Sequence, residues 1–166
     1  MSLRTTLRNA FLANAMDGNG QTLDDINLTN VTVDGQPLRT DSLVFSSQNK
    51  DTTTLLPGQP VTMHSSGVGV VRASAWCGLQ AVGIVTTATA PGFAVALRAI
   101  GMLTLDDWVA VTGFPLLTPR SIYYLSLTAG QLTDIPTVAS GTLLQVIGNA
   151  VSLNQLQINI GRAIRL

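Results

Sequence analysis

Residues 117–136 read LTPRSIYYLSLTAGQLTDIP. Pro119 predicts a turn, because its ring holds φ near about −65°, the value the second position of a tight turn requires. Ile122 to Leu127 then form an apolar strand-like run. Side chains alternate across a strand, so Tyr123 and Tyr124 must face opposite ways, one to a core and one to a surface. A second turn at Gly130 sends the chain back as the next strand. The stretch is therefore turn, strand, turn, strand.

The same texture continues on both sides. GVGVVRASA, LQAVGIVTT, FAVALRAIGMLTL, TLLQVIGNAV and LQINIGRAIRL are short apolar or alternating runs with Gly, Pro and Thr between them. Strands recurring every roughly 8 to 12 residues predict a mainly β fold, a compact β-sandwich or barrel-like domain, over residues 59–166. Within it, TLDDWVAVTG (104–113) reads as one helical turn, with Thr104 as its cap and Asp106 and Asp107 in the favourable first turn. VSLNQ (151–155) reads as a further turn or short helical piece.

Residues 1–58 have a different character. SLRTTLRNAFLANAMDGNG (2–20) predicts a short amphipathic helix, with Ser2 as N-cap, Leu3, Leu7, Ala10, Phe11 and Ala15 on one face, and Gly18 as its stop. Arg4 and Arg8 lie one turn apart and repel, so the helix depends on docking its apolar stripe. From 19 to 58 brief alternating pieces are separated by polar turns, one of them the hairpin signal Asp34-Gly35. Apolar residues are too thin here for an independent core. An extended arm is expected, packed either on its own C-terminal domain or on a neighbouring subunit.

Charge narrows the function. Only 11% of residues are charged, against about 25% in soluble proteins generally. Nine basic and nine acidic residues cancel, Lys50 is the one lysine, and glutamate is missing. Monomers usually stay soluble on mixed charge with a net excess. Much of the surface is therefore expected to be covered by partners, the alternative being a neutral domain kept soluble by its hydroxyls. Charge balance argues against nucleic acid as the principal ligand. Cys77 is the single cysteine, so no internal disulfide can form. The N-terminus carries no continuous apolar core of a signal peptide and no run reaches the roughly 18 apolar residues of a membrane span, which predicts cytoplasmic synthesis and no membrane partner.

Residues able to do chemistry are few. A metal site would have to be assembled from His64, the one histidine, and a few aspartates. His64 and Cys77 lack any flanking signature of a nucleophile pair, and read as a turn histidine and a buried small hydrophobe. Adjacent Asp106 and Asp107 diverge on either kind of backbone, so they cannot act as an acid and base pair. Asp17, Asn19 and Gln21 imitate the start of a calcium loop, but Thr22 stands at the glycine position and Leu28 at the terminal carboxylate. Gly67-Val68-Gly69 reads as a tight strand entrance, not a dinucleotide fingerprint. No cofactor and no enzymatic activity are expected. One exposed aromatic among Trp76, Trp108, Tyr123 and Tyr124 could still contact a glycan.

Residues 101–160, GMLTLDDWVAVTGFPLLTPRSIYYLSLTAGQLTDIPTVASGTLLQVIGNAVSLNQLQINI, resemble a small β-domain that recurs in structural proteins of tailed bacteriophages, among them head decoration proteins and tail or fibre proteins. The shared phrase is a Trp, then TG, LTPG, YYLS, G.LT, a Pro, and Q.VG.A.S before L.I. It covers about a third of the chain and leaves the arm untouched. The resemblance implies a non-enzymatic contact or display module, commonly trimeric, located in a virion. It also implies glycine at position 120, where this chain has arginine. Arg120 then stands either as a left-handed turn residue or as an exposed contact residue. The expected role is a capsid decoration or cement protein that binds its own copies and the major capsid protein, with Leu3, Leu7, Phe11 and Arg120 as assembly contacts. The alternative is a tail, baseplate or fibre component.

Overall fold

A computed structural model describes residues 43–136 and 138–166, together with the backbone of 32–33 and 36–37. The chain divides into two compact units, Met1–Thr40 and Asp41–Leu166. In the first, β1 (Thr32–Val33) pairs antiparallel with β2 (Gln36–Pro37), as the Asp34-Gly35 signal predicts. Leu3, Leu7 and Phe11, with the rest of the expected helix and the calcium-like stretch, lie outside the described residues.

The second unit is mainly β, as expected. Its strands are β3 (Leu43–Gln48), β4 (Pro60–Met63), β5 (Val70–Arg72), β6 (Gly83–Val85), β7 (Ala94–Thr104), β8 (Ile122–Leu125), β9 (Leu132–Thr133), β10 (Leu143–Leu144), β11 (Val146–Ala150), β12 (Gln155–Asn159) and β13 (Ile164–Arg165), with a single-turn helix α1 (Val109–Thr112). Nine strands form one antiparallel sheet in the order β5-β4-β6-β7-β12-β11-β8-β9, with β3 also on β7. The sheet curls into a half-barrel. β10 and β13 form a separate pair.

β7 organises the curl. Leu97 and Arg98 each have partners on both edges, Phe45 and Val44 of β3 on one and Val85 and Ile84 of β6 on the other. Ile100 is paired with both Leu43 and Asn159 of β12. β6 and β12 therefore follow one another along a single edge of β7, which bridges two sub-sheets. The β3–β7 register slips between Leu43 and Val44, the kind of irregularity that sharpens local twist. At the far edge a parallel bridge from Asn49 to Val70 ties β5 back to the end of β3.

Each sub-sheet covers its own apolar cluster. Leu55, Val61, Val70, Val85, Val95 and Leu97 form the smaller, with Phe45 against it. The larger gathers Ile84, Leu103, Trp108, Val111, Leu117, Tyr123, Leu125, Leu132, Ile147, Leu156 and Ile158. β6 is thus buried on both faces, Ile84 in one cluster and Val85 in the other. Across β7, β12 and β11 the inner rung Leu103–Leu156–Ala150 is buried, while the next rung, Met102–Gln157–Asn149 and on to Ile122 of β8, faces outward. Period-two alternation is what lets one sheet keep a core and a wet face.

Residues 43–58 were expected to belong to the arm. They instead supply β3 and the fully buried Leu55 to the β unit, so over this segment the packing is on the chain's own domain. Side-chain bonds to backbone hold what apolar contacts do not. Asn49, fully buried, donates to the carbonyls of Thr89 (2.8 Å) and Thr53 (3.2 Å) and accepts from the Asp51 N–H (2.9 Å). Gln145, also buried, accepts from the Ala81 N–H at 2.7 Å and donates to the Ala81 and Gly161 carbonyls at 3.0 Å. A buried amide with its bonds complete acts as a piece of strand where regular pairing stops.

Two glycines mark close approaches. Gly69 closes the β4–β5 turn at φ +79°, and a Cβ there would stand 2.7 Å from the Gln48 carbonyl oxygen. Gly148 lies against β12, where a Cβ would collide with the Gln157 carbonyl oxygen. The first confirms GVG as a strand entrance.

Candidate functional site

The most informative local structure is the Thr118–Ser121 turn. Ser121 N–H donates to the Thr118 carbonyl at 3.1 Å, closing a four-residue turn with Pro119 second and Arg120 third. Arg120 sits at φ +68°, the one non-glycine residue with positive φ among those described. Proline second and positive φ third are the marks of a type II turn, whose third position normally takes glycine. An arginine there carries roughly 1–2 kcal/mol of steric cost. The turn has kept the glycine geometry without the glycine: Arg120 is left-handed, and it is exposed.

Its surroundings impose that conformation. Arg120 N–H donates to the Ala150 carbonyl at 2.8 Å, and Ala150 N–H donates to the Ser121 carbonyl at 2.9 Å. Tyr123 is 3% exposed, and its hydroxyl accepts from the Thr118 N–H at 3.0 Å. Tyr124 is half-buried on the opposite face, as the strand alternation predicts. The core tyrosine therefore reaches back and fixes the turn that displays the arginine. Strain held by its neighbours at an exposed position points to use.

The same end of the unit carries exposed apolar side chains. Leu117 N–H donates to the Leu153 carbonyl at 2.8 Å, and Trp108 N–H to the Pro115 carbonyl at 3.1 Å, laying the 114–117 segment beside the bend at 151–154. Trp108 is fully buried beneath, with its indole N–H on the Asn154 carbonyl at 3.3 Å. Phe114 is 70% exposed, and Leu116, Val151 and Leu153 about half. Asp106, Leu116, Ser152, Leu153 and Asn154 line a shallow, open depression. Such a surface can dock a partner; it does not enclose a small substrate. These residues were missed in the sequence reading. The signal was present in GFPLLTP, where large apolar side chains sit between Gly113, Pro115 and Pro119 and cannot all enter a regular strand.

Other expected residues are scattered. Thr104 ends β7 and caps nothing; Asp107 instead accepts from the Val109 N–H at 2.8 Å, and α1 has no acidic residue in its first turn. Asp106 is exposed. His64 sits in the β4–β5 turn, its Nδ1 accepting from the Ser66 N–H at 3.2 Å. Cys77, expected to be buried, is exposed beside Trp76, itself 66% exposed, because the tight turn from Ser74 to Leu79 turns both outward. Among the described residues no group of three or more His, Cys, Asp or Glu side chains could hold a metal. No described helix is long and apolar enough to cross a membrane.

The ion pair among the described residues, Asp51 with Arg72, is architectural. Two bonds from the guanidinium, at 3.0 and 3.1 Å, and one from the Arg72 N–H at 3.1 Å converge on the carboxylate. Burial pushes the Asp51 carboxyl up, but the hydrogen bonds and charge of Arg72, helped by the Thr53 N–H, outweigh it and hold the group below the usual carboxylate range. No protein-family model matches the chain, and no curated protein matches it significantly.

Proposed function

We propose that this chain is a non-enzymatic structural protein of a tailed-bacteriophage particle, a capsid decoration or cement protein that stabilises the shell through contacts with its own copies, as a trimer, and with the major capsid protein. The observation that carries the reading is the surface: Trp76, Phe93, Phe114 and Ile135 are each about two-thirds exposed or more. Large apolar side chains displayed on rigid turns gain free energy when a partner covers them. The resemblance of residues 101–160 to phage contact modules supplies the particle. Leu3, Leu7 and Phe11 act as docking anchors in this account, and Arg120 as a contact of the β unit.

Deletion of residues 1–20 tests the anchoring. The shortened protein is expected to stay folded and soluble and to lose binding to particles; full retention of binding would sink the role of the anchors. A second reading, a tail, baseplate or fibre component touching host glycans, is favoured by exposed Trp76, since an open indole face suits a sugar ring. Copy number separates the two. Hundreds of chains per particle fit the shell, and a few to a few tens fit the tail.

A further inference from the structure

The end of the β unit that carries Arg120 has an order of charges that goes beyond a general docking surface. The bend at 151–154 joins β11 to β12. On its β11 side stands Arg120, hydrogen-bonded through its N–H to Ala150. On its β12 side stands Asp106, lining the depression with Asn154, while the neighbouring Leu105 N–H donates to the Asn154 carbonyl at 3.0 Å. In the bend is Leu153, and Leu116 shares the depression with it and Asp106; both are about half exposed, as is Val151, which follows Ala150. Following the strand order β8-β11-β12-β7 past this bend, the order is cation, apolar bend, anion. Among the described residues neither Arg120 nor Asp106 enters an ion pair, and no side-chain hydrogen bond is made by either. Asp107, by contrast, is already engaged by Val109.

A face with a cation at one margin and an anion at the other is complementary to itself when turned through a half rotation. That is the condition for an isologous contact, in which residue i meets j and j meets i. We propose that two copies of the chain pack this end together about a twofold axis, with Arg120 of each meeting Asp106 of the other and Leu116 and Leu153 at the centre. The strained turn then has a purpose that glycine could not serve: it holds a guanidinium at a fixed place on the rim. Such pairing needs no virion, and it leaves a threefold contact elsewhere on the chain free to form.

The test uses the full chain in three forms, wild type, R120D and D106R, with mass read by analytical ultracentrifugation over a range of concentration and salt. Aspartate is among the residues that best tolerate a left-handed backbone, so R120D preserves the turn. Wild type is expected to reach an even multiple of the chain mass and to weaken with salt. Each single variant brings like charges together at two symmetric places and is expected to associate about tenfold more weakly or worse. An equimolar mixture of R120D and D106R re-creates both opposite-charge pairs, so association returns. R120G serves as a control that keeps the turn and removes the charge; it is expected to associate more weakly while melting as a folded protein. Wild type that stays monomeric, variants that associate as wild type does, or a mixture no tighter than its components would each overturn the proposal.

Discussion

Replacing Arg120 by glycine should make the isolated protein more stable while removing a charged contact. The left-handed conformation at φ +68° costs a residue with a Cβ roughly 1–2 kcal/mol, and glycine nothing. Glycine is also freer in the unfolded chain, which returns about 0.4–1 kcal/mol to that state. The net expectation is a gain of about 0.5–1 kcal/mol, or roughly 1–4 °C in melting temperature for a chain of this size. Alanine shares the Cβ penalty and should leave stability nearly unchanged, and asparagine should fall between. Urea unfolding at low protein concentration, where association does not add to stability by mass action, gives the order directly. A glycine variant less stable than wild type, or an alanine variant as stable as the glycine one, would refute the idea that strain is stored at this turn.

Further consequences are local. Tyr123→Phe removes the acceptor of the Thr118 N–H and should cost about 1 kcal/mol by urea unfolding, since Thr118 is exposed and water replaces part of the bond. Gly148→Ala sets a Cβ against the Gln157 carbonyl and should destabilise by about 2 kcal/mol or more, seen as a lower melting temperature with the β circular-dichroism signal otherwise kept. The Asp51 carboxyl is depressed on folding, so its contribution is present above the unfolded pKa and lost as pH falls through the folded one. Wild type should therefore lose stability below about pH 4, and Asp51→Asn should flatten that part of the profile while lowering stability at neutral pH.

The β class and most strand positions were legible because period-two alternation and Gly, Pro and Thr punctuation are local signals. Tyr123 and Tyr124 show it best, since adjacency on a strand alone sorts one inward and one outward. The extent of the β unit was not legible. The alternation of Leu43 and Phe45 marks an extended piece, but too few apolar residues surround it to show that it joins the β unit, which it does by pairing with Ala94 to Ile100, some fifty residues on. Asn49 falls in the expected arm and Gln145 in the run TLLQVIGNAV, yet each is buried by tertiary bonds that no local pattern encodes. Arg120 was ambiguous for a related reason. A single residue's preference argues against positive φ, while Pro119 before it and the bonds to Ala150 and Tyr123 around it decide the opposite. The exposed apolar end was hidden because Phe114, Leu116 and Leu153 resemble core residues by type, and only the fold turns them outward.

The central claim, that this chain covers a phage shell, is tested most directly by counting its copies in purified tailed-phage particles that carry its gene, by quantitative mass spectrometry against the major capsid protein. The account predicts hundreds of copies per particle, lost from the shell when residues 1–20 are deleted. A few to a few tens of copies, or none, would contradict it.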